Sequence, residues 1–371
     1  MAKFKITKLK TAGTWDKLLV LGLLGLVVFG LLAVYNSSIV IALRDFADPY
    51  YFVKDQLRFA VVGFVLMYVV SLVDYRRWFK LSIPFLGLTL VLLLAVFIPG
   101  IGVGALGAKR WLNLGFTSIQ PTEVAKLSLV LYLSAWFTYK ERSRFGPFMV
   151  LLLVVLGMII LQPDMGTAAI ISIISVIMYF VSQAPLWHFL ILTPLALGGG
   201  LLLAVIAPYR LSRLLTFLNP DRDPLGASYH IRQILIALGS GGVWGLGLGK
   251  SRQKYEYLPE ATTDSIFAVV AEEIGFFGSV ILIGAFLFVI WRIFQIAKQA
   301  PDRFGRLVTA GIGIWFGVQS LVNLSAMVAL LPLTGVPLPL ISYGGSSLVM
   351  LLMGMGIVLN ISRQAKTDIK H

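Results

Sequence analysis

Cysteine is absent from this 371-residue chain, which excludes a disulfide framework, thiol chemistry and cysteine-ligated metal. Charge is scarce too: Asp, Glu, Lys and Arg make up 13% of the residues, where soluble domains carry about 25%. The three histidines, His188, His230 and His371, are scattered with no H-E-x-x-H spacing, so no zinc site is indicated. There is no Gly-X-Y period, heptad run or polar low-complexity tract, which removes collagen, coiled coil and disorder. Nor is there an internal repeat, so the inverted-repeat plan of many transporters has no support. Apolar sequence fills the chain instead, at 58% hydrophobic residues and a mean hydropathy of +0.88. The expectation is an all-α polytopic membrane protein.

Lipid offers the backbone no hydrogen-bond partners, so a span is a helix or part of a closed barrel. The apolar runs are continuous rather than alternating, which excludes the barrel. Ten transmembrane helices are expected, at 18–35, 59–73, 81–98, 122–139, 148–161, 167–181, 187–207, 265–290, 307–331 and 346–361. Three of them, 59–73, 148–161 and 167–181, are short of the about 20 residues that a span needs. The first is too long, and its amino-terminal side too extended, for a cleaved signal peptide, so it is expected to stay as an anchor. With the N-terminus inside, cytoplasmic segments hold 18 Lys and Arg and short outer loops hold 5. That asymmetry puts both termini in the cytoplasm and makes 208–264, between helices seven and eight, one large extracytoplasmic loop. Residues 1–371 read as a single transmembrane domain. In this setting the net charge of +14 points to anionic lipid, not nucleic acid.

The long loop is the largest piece of chain expected to be non-helical. Asp221, Asp223 and Pro224 should make turns in it, and 231–238 is apolar enough for a short interfacial helix. Its basic excess favours an anionic ligand over an inert cap. Gly249-Lys250-Ser251 looks like the end of a phosphate loop, but that pattern needs glycine where Trp244 stands. The glycines at 239, 241, 242, 245, 247 and 249 are better read as tight packing and turns.

Ionisable residues in or beside hydrocarbon are expensive and therefore functional candidates. Six stand out: Glu123, Lys126, Asp164, Asp264, Glu272 and Glu273, all at the outer ends or in the outer halves of their helices if the topology holds. Glu123 and Lys126 are three apart and able to pair. A helix-start role explains Glu123 as well as function does, but it does not explain Lys126. Lys109, Arg110 and Trp111 form a basic-aromatic cluster that suits either interfacial anchoring or a sugar-diphosphate head group. Asp164 reads first as a helix cap. Asp264 also stands where a cap would, but Glu272 and Glu273 follow it two turns deeper, an acidic column that capping alone does not explain.

Four stretches carry a resemblance: 107–115 with Gln120-Pro121-Thr122-Glu123 and Lys126; 162–167; Pro259-Glu260-Ala261-Thr262-Thr263-Asp264 within 257–268; and 331–347, which includes Ser342-Tyr343-Gly344-Gly345. Over nearly its whole length the chain resembles the shape, elongation, division and sporulation (SEDS) proteins, peptidoglycan glycosyltransferases of the FtsW and RodA types. The stretch 247–255 looks more like the division type, FtsW. The resemblance implies polymerisation of lipid II, a disaccharide-pentapeptide on undecaprenyl diphosphate, at the outer face of the bacterial cytoplasmic membrane. Asp264 matches the family's essential aspartate and is the expected general base. Arg110, Lys126 and Arg252 would meet the diphosphate, Glu123 would orient Lys126, Trp111 would line the lipid-sugar path, and Asp164 would border the same site. The resemblance leaves room for a divalent cation sharing the diphosphate charge, although no ligand set in the sequence demands one. The partners it implies are a class B penicillin-binding protein transpeptidase and proteins of the division or elongation machinery. Thr262 and Ser265 depart from the family's commonest pattern, His and Phe respectively, on either side of the expected base. Two rival functions are a lipid II flippase and an assembly scaffold for the transpeptidase. A flippase should carry polar groups through the full membrane depth, whereas here they gather in the outer half.

Overall fold

The computed structural model describes residues 13–105, 108–115, 117–139, 144–206, 208–219, 226, 228–255 and 257–368. Gly107, Asp221, Asp223 and Pro224 lie outside the described residues, and so do the basic residues at 1–12, Lys140 and Arg142. Helices dominate: α1 Lys17–Phe46, α2 Tyr51–Leu72, α3 Arg76–Ala95, α4 Pro121–Thr138, α5 Phe145–Leu161 and α6 Met165–Val181 form the first half. The second half holds α7 Trp187–Ile206, α8 Pro208–Leu218, α9 Tyr229–Gly241, α10 Ile266–Lys298, α11 Arg303–Met327 and α12 Gly345–Asp368. Six of these, α1, α2, α3, α10, α11 and α12, contain stretches long and apolar enough to cross a membrane. The chain is a multi-pass membrane protein.

The all-α expectation needs one correction. Between α3 and α4 the chain forms a small antiparallel sheet, β1 Gly102–Ala105, β2 Ala108–Asn113 and β3 Ser118–Ile119, in the order β1-β2-β3. The segment is too short and glycine-rich for a span, and Trp111 faces Val103 across its ladder. The long loop is also more helical than expected. It contains α8 and α9, and the latter includes the predicted 231–238 segment.

Burial sorts the helices into an inner and an outer set. The most apolar windows of α11 and α12 are 78% buried within the protein and that of α3 only 22%, so α3 presents most of its surface to lipid. Nearly every residue of α4 is buried, including its polar ones. Polar links gather in two layers at opposite helix ends. In one, Arg292 donates to Asp16 at 3.0 Å, Tyr75 donates its hydroxyl to Asp302 at 2.6 Å, and Asn360 donates to the Ser71 carbonyl. In the other, Tyr343 donates to Asp55 at 2.7 Å and Gln120 donates its side chain to Asp164 at 3.3 Å. The second layer holds the expected site.

α10 is not the uninterrupted helix that its sequence suggests. Gly275 has φ +68° and breaks it, which leaves Phe276 N–H free to donate to the Gly242 carbonyl at 2.9 Å. In return Leu246 and Gly247 donate to the Glu272 and Glu273 carbonyls, both at 3.0 Å. The 241–247 backbone thus packs directly on the break. A Cβ at Gly245 or Gly275 would overlap main-chain atoms of the other segment. Of the glycine run, Gly241 and Gly245 serve tight packing, while Gly242, Gly245, Gly247 and Gly249 adopt positive φ.

Candidate functional site

Asp264 ends the turn that precedes α10. Ser265, not Asp264, occupies the N-cap position, and no side chain caps the helix. The Asp264 carboxylate is therefore not spent on capping. Its Oδ1 lies 2.9 Å from the Thr263 hydroxyl, whose single proton also lies within reach of Glu260 Oε2 at 2.7 Å. Burial pushes the Asp264 carboxyl above the usual carboxylate range; Glu260 adds to the shift, while the Thr263 hydrogen bond and the Arg213 charge oppose it. A carboxylate raised in this way is a better proton acceptor near neutral pH.

The facing wall is the 331–344 segment between α11 and α12. Gly335 there has φ +70°, in the region that favours glycine. A Cβ at this position would stand 3.7 Å from Asp264 Oδ2 and 3.8 Å from Arg213 Nη1, so the missing side chain keeps the space between carboxylate and guanidinium open. Arg213, on α8, donates to the Leu333 carbonyl at 3.0 Å. A cleft of about 260 Å³ opens beside Gly335, lined by Arg110, Asp164, Arg213 and Gly335 among others, with Asp264 behind Gly335 and not itself among the lining residues. A second cleft, of about 290 Å³, shares Arg213 and Leu333 with the first and extends to His230.

Arg110 and Asp164 both line the first cleft. Arg110 Nε donates to the Gln162 carbonyl at 3.2 Å and Nη2 donates to the Pro163 carbonyl, which seats the β2 arginine on the turn before α6. Asp164 caps α6 by accepting from Thr167 N–H at 3.2 Å, as expected, and keeps a place in the cleft wall.

The other predicted residues lie elsewhere. Glu123 and Lys126 do pair, at 2.7 Å, but the pair is buried in the bundle and lines neither cleft. Lys126 Nζ also donates to Gln319 at 2.9 Å and sits 5.5 Å from the Trp315 ring. Direct contact of this ammonium with a diphosphate does not fit that position. Trp111 is half-buried in β2, and Arg252 is exposed; neither is among the cleft-lining residues. The acidic pair does not continue a column below Asp264. Glu272 accepts from Ser240, from the Ser251 hydroxyl and from the N–H groups of Arg252 and Gln253. Glu273 accepts from Asn36 and Ser251 N–H and pairs with Lys254 at 3.7 Å. Together they pin the 251–254 loop to α10.

Sequence reasoning missed Arg213 and His230. Arg213 counted only towards the basic excess of the loop, although the 208–218 pattern is that of an amphipathic helix. His230 shares a 2.7 Å hydrogen bond with Ser265 beside Asp264, a pairing over 35 positions that no local spacing reveals. Burial pushes the His230 pKa down to about 4, helped by Arg213, so it is neutral at working pH. Among the described residues no three carboxylates or imidazoles converge.

Comparison with known proteins covers the whole of this architecture. A family model described as cell cycle protein, spanning FtsW, RodA and SpoVE, matches residues 16–367. The chain is 41% identical over 359 residues to a probable peptidoglycan glycosyltransferase FtsW of Trichlorobacter lovleyi, covering 95% of this chain and 94% of that protein. It is 40% identical over 357 residues to the stage V sporulation protein E of Bacillus subtilis, covering 95% and 98%. Among solved structures, a chain of a peptidoglycan synthase complex that coordinates polymerization and crosslinking is 31% identical with a TM-score of 0.77, covering 95% and 98%. The rod shape determining protein RodA of Thermus thermophilus is 30% identical with a TM-score of 0.70, covering 94% and 97%.

Proposed function

The chain belongs to the FtsW/RodA/SpoVE family of cell cycle proteins and is a peptidoglycan glycosyltransferase, and from that premise we propose how its residues do the chemistry. The substrate is lipid II. The acceptor's sugar hydroxyl attacks the anomeric carbon of the donor strand, and the bond from that carbon to the lipid diphosphate breaks. Asp264 takes the hydroxyl proton, because a neutral hydroxyl is a weak nucleophile. Arg110 and Arg213 meet the charge that develops on the leaving diphosphate. Asp164 shapes the cleft between them, and Trp111 flanks the lipid approach. The single observation that carries this reading is the uncapped Asp264 carboxylate, raised by burial and facing Arg213 across Gly335.

The site lies at the outer surface of the bacterial cytoplasmic membrane, with ten spans and both termini inside. Two features support that topology. The layer holding Asp16, Arg292 and Asp302 is the basic-rich side, and the layer holding Asp264 and Asp164 is the opposite one. All of 1–371 then forms one transmembrane domain, with α8 and α9 as its outer cap. A class B penicillin-binding protein is the partner we propose, since a close structural relative comes from a complex that joins polymerization to crosslinking.

The test is polymerisation of labelled lipid II by purified protein. Asp264→Asn should reach the membrane at normal levels and lose about a hundred- to ten-thousandfold in rate. Asp264→Glu should be poor as well, since moving the carboxylate by about 1 Å matters in catalysis. A fully active Asn variant would end the assignment.

A further inference from the structure

Two carboxamides, Gln319 and Asn323, stand one turn apart on the same face of α11, and both are 1% exposed. Asn323 Nδ2 donates to two main-chain carbonyls, those of Asp264 and Val336, each at 2.8 Å. Gln319 Nε2 donates to the next carbonyl, Pro337, at 3.0 Å, and its Oε1 accepts from Lys126 Nζ and Trp315 Nε1, both at 2.9 Å. An amide nitrogen has two hydrogens, and Asn323 uses both on carbonyls. Asn323 Oδ1 is buried without a partner among the described residues, a cost accepted only because the opposite orientation would set oxygen against oxygen.

These bonds make a continuous line from the Glu123–Lys126 pair through Gln319 to Pro337, and from Val336 through Asn323 to Asp264. Gly335, which lies between the Asp264 carboxylate and Arg213, is the next residue in that segment. A second bond, Tyr343 N–H to the Thr262 carbonyl at 3.0 Å, joins the same two segments from the other side. Carboxamides suit this position, since they donate and accept in a buried setting without the cost of a charge. We infer that Gln319 and Asn323 are positioning residues that fix the Asp264 main chain against 335–337, and that Lys126 acts on the reaction through Gln319 rather than by touching substrate.

The inference rests on Asp264 as the base, so the experiment carries Asp264→Asn as its control. Full-length Asn323→Ala is compared with the parent protein for thermal unfolding and for lipid II polymerisation at varied substrate concentration. A misplaced base costs turnover rather than binding, so kcat should fall by about ten- to hundredfold with KM held within about twofold. Asn323→Ser keeps one donor and should fall between the two; it carries the same criterion if the alanine variant does not fold. Lys126→Met and Gln319→Leu should each lower kcat, and the double variant should lose no more than the worse single one. Unchanged kcat in folded Asn323 variants overturns the inference, as does a defect lying mainly in KM or a double variant with multiplied losses. A fully active Asp264→Asn would overturn the base assignment instead, so the two failures are told apart.

Discussion

Lys126 Nζ lies 2.7 Å from Glu123 Oε1, with the two side chains 1% and 4% exposed. Water screens nothing there, and each charge depends on the other. The i,i+3 spacing is legible in the sequence but the depth is not, because α4 is charged only at its start and nearly all of it is enclosed by neighbouring helices.

Removing one member strands the other. Lys126→Met should cost about 3–5 kcal/mol of stability, the usual penalty for an uncompensated buried charge. Combining it with Glu123→Gln should restore most of that loss. Exchanging the two (Glu123→Lys with Lys126→Glu) keeps a pair but sets a carboxylate against Gln319 Oε1, so the protein should persist in the membrane with activity lost. Thermal unfolding and polymerisation measured on the same preparations check both halves. Full activity in the exchanged protein contradicts the route through Gln319.

Asp264 should show function opposing stability. Its carboxyl is raised in the folded state, so the fold favours the protonated form. That preference stabilises the protein fully below the ordinary carboxylate pKa and is lost as pH rises through the raised value. At neutral pH the ionised Asp264 is a destabilising group. Asp264→Asn should therefore melt at a temperature equal to or above the parent's at neutral pH, the gap closing in acid, while polymerisation is lost. Parent activity should fall as pH drops through the same raised pKa. An Asn variant that melts well below the parent at neutral pH refutes this account.

The architecture was legible where the signal is local. Apolar run length locates the helices, and acid or arginine beside a turn picks out Arg110 and Asp164, which line a cleft. Helix ends were misjudged where polar residues are satisfied inside the bundle. α1 runs past the expected stop at Tyr35 because Asn36 donates to Glu273 and Ser37 to the Val34 carbonyl. The break at Gly275 was hidden because a lone glycine is ordinary in a membrane helix; only the 241–247 backbone packed on it gives it meaning. Asn323 and Gln319 were passed over because the reading weighed ionisable groups, while neutral carboxamides in apolar helices also mark buried hydrogen bonding.

Topology is open to direct labelling, since the chain has no cysteine of its own. Ser251 is a poor probe position because it is 1% exposed, but Trp244 is 79% exposed. Single cysteines at Trp244 and at the exposed Arg77 should react from opposite sides of the membrane, the first from outside and the second from inside. Trp244→Cys labelled only from the cytoplasm would reverse the topology and remove the outer-face site with it.

Arg213 is the sharpest test of the cleft itself, since it borders both openings and faces Asp264 across Gly335. A hydrogen bond to a charged group contributes about 1.5–3 kcal/mol, so Arg213→Gln should lower kcat/KM by about ten- to hundredfold. Arg213→Lys keeps the charge and a donor for the Leu333 carbonyl but loses the planar fork that grips phosphate oxygens. It should fall between the parent and the glutamine variant. If tethering Leu333 were the only role, the lysine variant would behave like the parent, and both variants would vary with stability instead of with substrate affinity. Should Arg213→Gln polymerise lipid II with parental kcat/KM, the arginine does not hold the diphosphate, and Arg110 is left as the sole cation in that role.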